Sequence, residues 1–376
     1  MVGSTVVSLS TIALTSQLNR FGMVIAMTDA PRQGRHPARR RPTIDDVARQ
    51  AGVSKGAVSL ALNGRPGVSD ATRRRITDAA DALSWRPSVR AKALSESRAL
   101  AIGLIIARPP GQLASDPFFA QLLAGVETVL AEAGYVLVLS VVADSASEAE
   151  TYRRLADDGR VDGVLLTDAR IGDPRYRLVS ELDLEAVVIG HPDPGSGLPG
   201  VAADEGAAIA QAVGALIDLG HERIAHVAGP VAIVHSAERR AAWHDALLAA
   251  GLSPGQVADG DFTREGGARA TRTLLQGTEP PTAILYANDL MAIGGLLVAR
   301  ELGVRVPQDL SVVGFDDTPL AEHVHPSLTT IRQDPVAAGS AAAALLLQRL
   351  GGPALPAIEL PAPVLVVRDS TGVAPR

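Results

Sequence analysis

Cysteine is absent from all 376 residues, which excludes disulfides, thiolate zinc sites and cysteine nucleophiles and leaves a reducing compartment open. Also missing is an apolar run able to cross a bilayer. The nearest is STVVSLSTIALTSQLNRFGMVIAM, which Gln17, Asn19 and Arg20 interrupt too often for a membrane span. No positive leader precedes that stretch and no convincing cleavage site follows it, so it does not read as an export signal. Translation is expected to begin at Met23 or Met27, and the protein to be cytoplasmic with no membrane partner. No Walker loop occurs, so P-loop nucleotide enzymes gain no support, and no cofactor is expected. Metal sites fare no better. The histidines of HERIAH, His221 and His226, stand five apart, which is not a one-face spacing on a helix, and His323 and His325 have no third ligand in sequence.

What is present is a soluble globular composition, 47% hydrophobic and 20% charged, on a chain long enough for two or three domains. Its net charge of −6 hides an asymmetry. Residues 32 to 98 hold fifteen Lys or Arg against six Asp or Glu, which leaves the remainder at −15. A basic block ahead of an acidic body suggests a polyanion-binding module joined to something that does not bind polyanions.

The tract RQGRHPARRR, ending at Arg41, has no periodicity and is expected to be a flexible basic arm, so that residues 1–41 form an extension outside the fold. Helical spacing follows: Ile44, Val47, Ala48 and Ala51 on one face, then Val58 and Leu62 on a second helix, and Ile76, Ala79, Ala80 and Leu83 on a third. Thr43 with Asp46 forms a capping-box variant, and Gly52 supplies the break. The stretch Gly52 to Gly56, GVSKG, fits the G-x-S-x-G pattern of a hydrolase elbow. That elbow requires a buried strand before the serine, whereas IDDVARQA is helical with a polar face. Ser54 is therefore assigned as the N-cap of the second helix. Two short helices around so tight a turn are what a helix-turn-helix needs to place its second helix in the DNA major groove. Ser54, Lys55, Gly56, Ala57, Ser59 and Leu60 would then face DNA, while Arg73, Arg74 and Arg75 are expected on phosphates or in solvent.

Past Arg98, apolar strands at about 100–106, 135–142, 162–167, 186–190, 223–229, 283–287, 310–315 and 363–367 alternate with amphipathic helices. The helices run over about 118–133, 205–219, 238–250, 266–276, 289–302 and 335–350. This predicts an α/β fold, two lobes of parallel sheet covered on both faces, with a ligand at the carboxyl ends of the strands.

The segment TIDDVARQAGVSKGAVSLALNGRPGVSDATRRRI, with WRPSVRAKALSESRALAIGLII, LGHERIAHVAGP, YANDLMAIGGL and VPQDLSVVGFDD, resembles the lac repressor family of bacterial transcription regulators. The resemblance runs from about Pro42 to Thr371. It implies an N-terminal all-α helix-turn-helix head (42–87), a hinge helix (88–98), and a two-lobed, periplasmic-binding-protein-like body (99–376). Lobe 1 would hold about 99–203 and 335–361, and lobe 2 about 204–334 and 362–376. It also implies that Thr43, Asn63 and Lys92 contact DNA with the residues above, and that Leu94 enters the minor groove as a wedge. The chain departs from the commoner family pattern at Ala57 and Leu60, where many members carry Thr and Arg. For the effector, the matching positions are Asp116, Phe118, His191, Arg239, Phe262, Asn288, Asp289 and Gln333.

These features predict a repressor, not an enzyme, whose affinity for double-stranded operator DNA is set by a small effector, a carbohydrate, bound between the lobes. A palindromic operator calls for a homodimer, and the lack of a leucine heptad tail argues against a higher assembly. The rival readings are an exported sugar-binding protein and an enzyme working in the interlobe cleft.

Overall fold

The computed structural model describes residues 42–62, 66–85, 98–352 and 358–376. The basic arm, Met23 and Met27 lie outside them, as does most of the hinge. The chain divides into two compact units, Met1–Ser88 and Val89–Arg376.

In the first unit, three helices are set by their caps. Helix α1 (Ile44–Ala51) starts where the Thr43 backbone N–H and hydroxyl both donate to the Asp46 carboxylate, at 2.9 and 2.8 Å. It ends at Gly52, whose φ of 65° lies in the left-handed region that glycine enters without steric cost. Helix α2 (Lys55–Leu62) begins three residues later, with the Ala57 N–H donating to Ser54 Oγ at 3.2 Å. Helix α3 (Asp70–Ala82) is capped by Ser69. Val47, Ala48, Ala51, Val58, Ala61, Ile76, Ala79 and Ala80 form the core, with Ile44, Leu62 and Leu83 at its margin. Arg75 donates to the carbonyl of Ala51 at 3.1 Å and Arg73 to that of Ala61, so both close the C-terminal ends of α1 and α2, where carbonyls lack helical partners.

The second unit repeats one winding pattern twice. Strands β1 (Ala101–Ala107), β2 (Val136–Val142), β3 (Gly163–Leu166), β4 (Glu185–Ile189) and β5 (Gly200–Val201) form a parallel sheet in the order β2-β1-β3-β4-β5. Its helices are α4 (Pro110–Ser115), α5 (Pro117–Ala133), α6 (Ser145–Asp157) and α7 (Pro174–Glu181). After α8 (Gly206–Asp218), strands β6 (Ile224–Ala228), β7 (Val257–Asp259), β8 (Ala283–Tyr286), β9 (Ser311–Asp316), β10 (Thr329–Arg332) and β11 (Val364–Val366) pair as β11-β10-β9-β8-β6-β7. Only β11 runs antiparallel to its neighbour. Helices α9 (Val234–Ala249), α10 (Arg264–Leu275) and α11 (Asp289–Glu301) connect these strands, and α12 (Pro335–Arg349) crosses back to the first sheet. There Ala342, Ala343 and Leu346 share a core with Ile102, Leu122 and Leu165. Each lobe is thus an open sheet whose order reverses beside its first strand, between β1 and β3 and between β6 and β8. Ligands collect outside the carboxyl ends of strands at such points.

The lobes touch beyond their covalent crossings. The Ile171 N–H donates to the Ala232 carbonyl at 2.9 Å and the Val234 N–H to the Ala169 carbonyl at 2.8 Å, and the Val234 side chain packs against the core of lobe 1. Loop 168–173 is stiffened for this by Arg175, which binds Asp173 and Glu148 at 2.6 and 3.0 Å, and by Arg170 on Glu148 at 2.7 Å.

Val234 is the first residue of α9, where its N–H has no helical use, and Ile233 before it is extended (φ −91°, ψ 128°). A proline is tolerated at such a position. Val234→Pro should leave the melting temperature nearly unchanged while removing one bridge bond of about 1 kcal/mol. Hydrogen exchange at the Ile171 amide should then rise about fivefold. An unchanged exchange rate would show that the bridge does not hold the lobes.

Candidate functional site

On the head, Ser54, Lys55, Gly56 and Ser59 are exposed on the first turns of α2, with Ala57 and Leu60 half-buried beside them and Thr43 half-buried at the start of α1. Lys55 Nζ lies 3.4 Å from Asp45, an exposed pair of the kind worth little in water. Releasing the ammonium for another partner therefore costs little. Asn63, Lys92 and Leu94 lie outside the described residues.

In the body, a cavity of about 120 Å³ opens between the carboxyl ends of the two sheets. Asp116, Phe118, His191, Arg239, Phe262, Asn288 and Gln333 all line it. Asp289 does not, and its expected place in the cleft is corrected. Its side chain is fully buried behind the wall, because it is the first residue of α11 and turns into lobe 2, where Thr330 Oγ1 and the Thr318 N–H donate to its two oxygens at 2.6 and 2.7 Å. The helix cap is its neighbour. Asn288 accepts from the Met291 N–H at 3.0 Å and donates to the Phe262 carbonyl at 3.1 Å. That second bond steadies Phe262, which sits at φ 61°, a region costly for a bulky residue. The Phe262 ring stacks on His235, centroids 5.4 Å apart.

Two arginines organise the polar wall. Arg108, just after β1, donates twice to Asp168, just after β3, both at 2.8 Å, so the pair spans the switch point of lobe 1. Its remaining arm lies 3.5 Å from Asp116. In lobe 2, Arg239 donates to Glu205 at 2.7 and 2.8 Å and to the Ala287 carbonyl at 2.7 Å, and it lies 3.7 Å over the Phe315 ring. Burial would raise the Asp168 and Glu205 carboxyls, but the facing guanidinium outweighs it and holds each below its ordinary range. Asp116 and Asp316 behave in the opposite way. Burial raises Asp116 against its bond from the Phe118 N–H and the nearby Arg108. Asp316 is pushed well above its usual range by burial and by the like charges of Asp289 and Asp116. Burial and the neighbouring Arg239 lower His235 to about 4, so this imidazole is neutral.

Arg108, Asp168, Glu205, His235 and Asp316 were not singled out from sequence. For Asp168 and Asp316 a signal existed, since each follows an apolar strand, in VLLTD and VVGFD, as Asn288 does in AILYAN. His235 and Glu205 have none, because their role appears only once the lobes face each other. Among the described residues no group of acidic and histidine side chains is arranged to hold a metal ion. No helix there is long and apolar enough to cross a membrane.

A helix-turn-helix unit and a two-lobed body with a polar interlobe cavity form the domain pattern of a DNA-binding regulator. The comparisons agree. Residues 43–88 match the family described as bacterial regulatory proteins, lacI family, and residues 213–371 match the periplasmic binding protein-like domain. The chain is 36% identical to the HTH-type transcriptional regulator CelR of Thermobifida fusca over 88% of its length and 99% of that protein. It is 34% identical to the HTH-type transcriptional repressor CytR of Escherichia coli K12, over 82% of its length and 90% of CytR. Among solved structures, it matches a CelR–cellobiose complex with TM-score 0.67 and 35% identity, covering 88% of this chain and 100% of the other. It also matches the lac repressor dimer bound to operator and the anti-inducer ONPF, with TM-score 0.74 and 30% identity over 88% and 99%. The chain belongs to the lacI family of bacterial regulatory proteins: it is a DNA-binding transcription regulator and not an enzyme.

The raised Asp316 carboxyl has a consequence for stability. A carboxyl raised by folding contributes stability in full below its unfolded pKa of about 4 and loses it as pH rises through the folded value. Asp316→Asn has no such loss. Its melting temperature should therefore gain on the wild type as pH rises from 4 to 8, by on the order of 3 °C. A difference that stays constant with pH, or shrinks, would contradict the assignment.

Proposed function

We propose that this regulator is a repressor whose operator affinity is set by a small, uncharged sugar held between the lobes, and that it acts as a homodimer. The observation that carries the sugar reading is the pairing of the cleft's charges. Arg108 and Arg239 are both engaged by carboxylates of the protein's own chain, so neither waits for an anion. Against these two cations the wall sets Asp168, Glu205, Glu238 and Asp334, beside the Asp116 and Asp316 carboxyls that burial raises. A phosphate or carboxylate on the ligand would meet a surplus of negative charge. A hydroxyl can donate to a carboxylate and accept from a guanidinium arm at once, and the face of Phe262 suits the apolar face of a sugar ring.

The ligand's effect on DNA follows from linkage. It shifts the balance between lobe arrangements only by binding one more tightly than the other, and the heads respond because their spacing must fit two half-sites. CelR has been captured with cellobiose and the lac repressor dimer with operator, and CytR is a repressor; these relatives support the reading for this chain. The dimer reading is supported by β2, an edge strand whose Val136, Leu139 and Val141 remain exposed. Family membership removes the support for the exported and enzymatic rivals.

The test is a thermal-shift panel of mono- and disaccharides beside their phosphorylated and uronic-acid forms, on wild type and Arg239→Ala. At least one neutral sugar should raise the melting temperature by mass action, its charged counterpart should not, and Arg239→Ala should lose the shift. Stabilisation by the phosphorylated forms alone would overturn the proposal.

A further inference from the structure

Asp289 occupies a seat that the fold is built around. Its two oxygens take the Thr330 hydroxyl and the Thr318 backbone N–H at 2.6 and 2.7 Å, and no part of it reaches solvent. Strand β9 makes room for it: a Cβ on Gly314 would lie 2.2 Å from Asp289 Oδ1, so only glycine fits there. What Asp289 grips is the turn that leaves β9 at the cleft. Asp316 has φ 114° and Asp317 φ 53°, two successive non-glycine residues in conformations that persist only where the surroundings impose them. Asp316 lines the cavity and accepts from Gln333 Nε2 at 2.6 Å. Asp317 pairs with Arg332 and Arg368 at 2.6 and 2.7 Å. Arg332 is about half exposed and Gln333 faces the cavity, so neither is as rigid a hold as a buried carboxylate with both oxygens engaged, and the largely buried Arg368 holds Asp317 but makes no bond to Thr318 or Thr330.

We propose that Asp289 is a positioning residue: by holding the Thr318 N–H and the Thr330 hydroxyl it imposes the strained 316–318 turn and so keeps the Asp316 carboxylate in the cleft, without meeting the ligand. The functional meaning of this rests on the cleft being the effector site, but the geometry is independent of that reading. One helix start then serves the lobe 2 wall twice, because Asn288 lines the cavity directly while Asp289 acts through Asp316. A side chain that the sequence places among the ligand contacts controls them from behind.

The experiment uses the full chain without any ligand. Asp289→Ala removes both acceptors, Thr330→Val removes one donor while keeping the shape, and Thr330→Ser restores the hydroxyl. Crystal structures and hydrogen exchange at the Thr318 amide are compared across the three. In Asp289→Ala, Asp316 should leave the cleft with a negative φ, and Thr318 exchange should rise at least tenfold. Thr330→Val should move in the same direction, and Thr330→Ser should match the wild type. If Asp289→Ala does not fold, the Thr330 pair decides. Asp316 unmoved and Thr318 still protected in every folded variant would overturn the proposal. A wild type that binds no sugar, with Asp316 displaced in the variants as expected, would count against the effector reading alone.

Discussion

Two guanidinium–carboxylate pairs, Arg108 with Asp168 and Arg239 with Glu205, govern the body of this regulator. Taking a charge out of water is costly unless it is paired and hydrogen-bonded, and each pair meets that demand with two parallel bonds between 2.7 and 2.8 Å. Their position gives them consequence. Arg108 and Asp168 join the carboxyl ends of β1 and β3, while Arg239 reaches from α9 to Glu205 and to the Ala287 carbonyl beyond β8. A polar cleft can therefore exist in a largely apolar fold, with its charges held in place before any ligand arrives. Preorganisation of this kind lowers the ordering cost of binding.

Around those pairs the wall carries strain. Phe262, Asp316 and Asp317 all have positive φ without being glycine, and all three lie at or beside the cavity. The Asn288 amide steadies the first, and the buried Asp289 carboxylate, itself raised to about 6 mainly by burial, steadies the turn holding the others. Strained backbone at a binding surface aims side chains where relaxed backbone would not. The interlobe backbone bridge at Ile171 and Val234 adds a contact between segments that are neighbours only when the lobes are close. The bridge segments adjoin cavity residues, Asp168 beside Ala169 and His235 beside Val234.

Much of this was legible in the sequence. The head could be read because its helices are punctuated by strong local signals, Thr43 with Asp46, Gly52 and Ser54, that need no tertiary context. The long apolar strands of the body were equally plain. Strands β5, β7 and β10 were not, since two to four residues such as Gly200–Val201 or Thr329–Arg332 carry too little pattern. Helix α9 begins at Val234, four residues before the expected start, because its first turn is spent on the bridge to lobe 1. At the cleft, the rule that ligands sit at strand ends selected Asn288 correctly as a cavity residue and selected Asp289 with it. One residue along a helix rotates a side chain by about 100°, enough to turn Asp289 into the core. Arg73 and Arg75 carry a task with no sequence signal, since each donates to a carbonyl at the end of a neighbouring helix.

The central claim is that occupancy of the cleft and the grip of the heads on DNA share one free energy. The measurement that tests it most directly is the affinity of the bound sugar with and without a saturating operator duplex, alongside the affinity of the operator with and without the sugar. Linkage requires the two ratios to be equal, and the account predicts a common factor of roughly 5 to 150. Identical sugar affinity in the presence and absence of operator would contradict it.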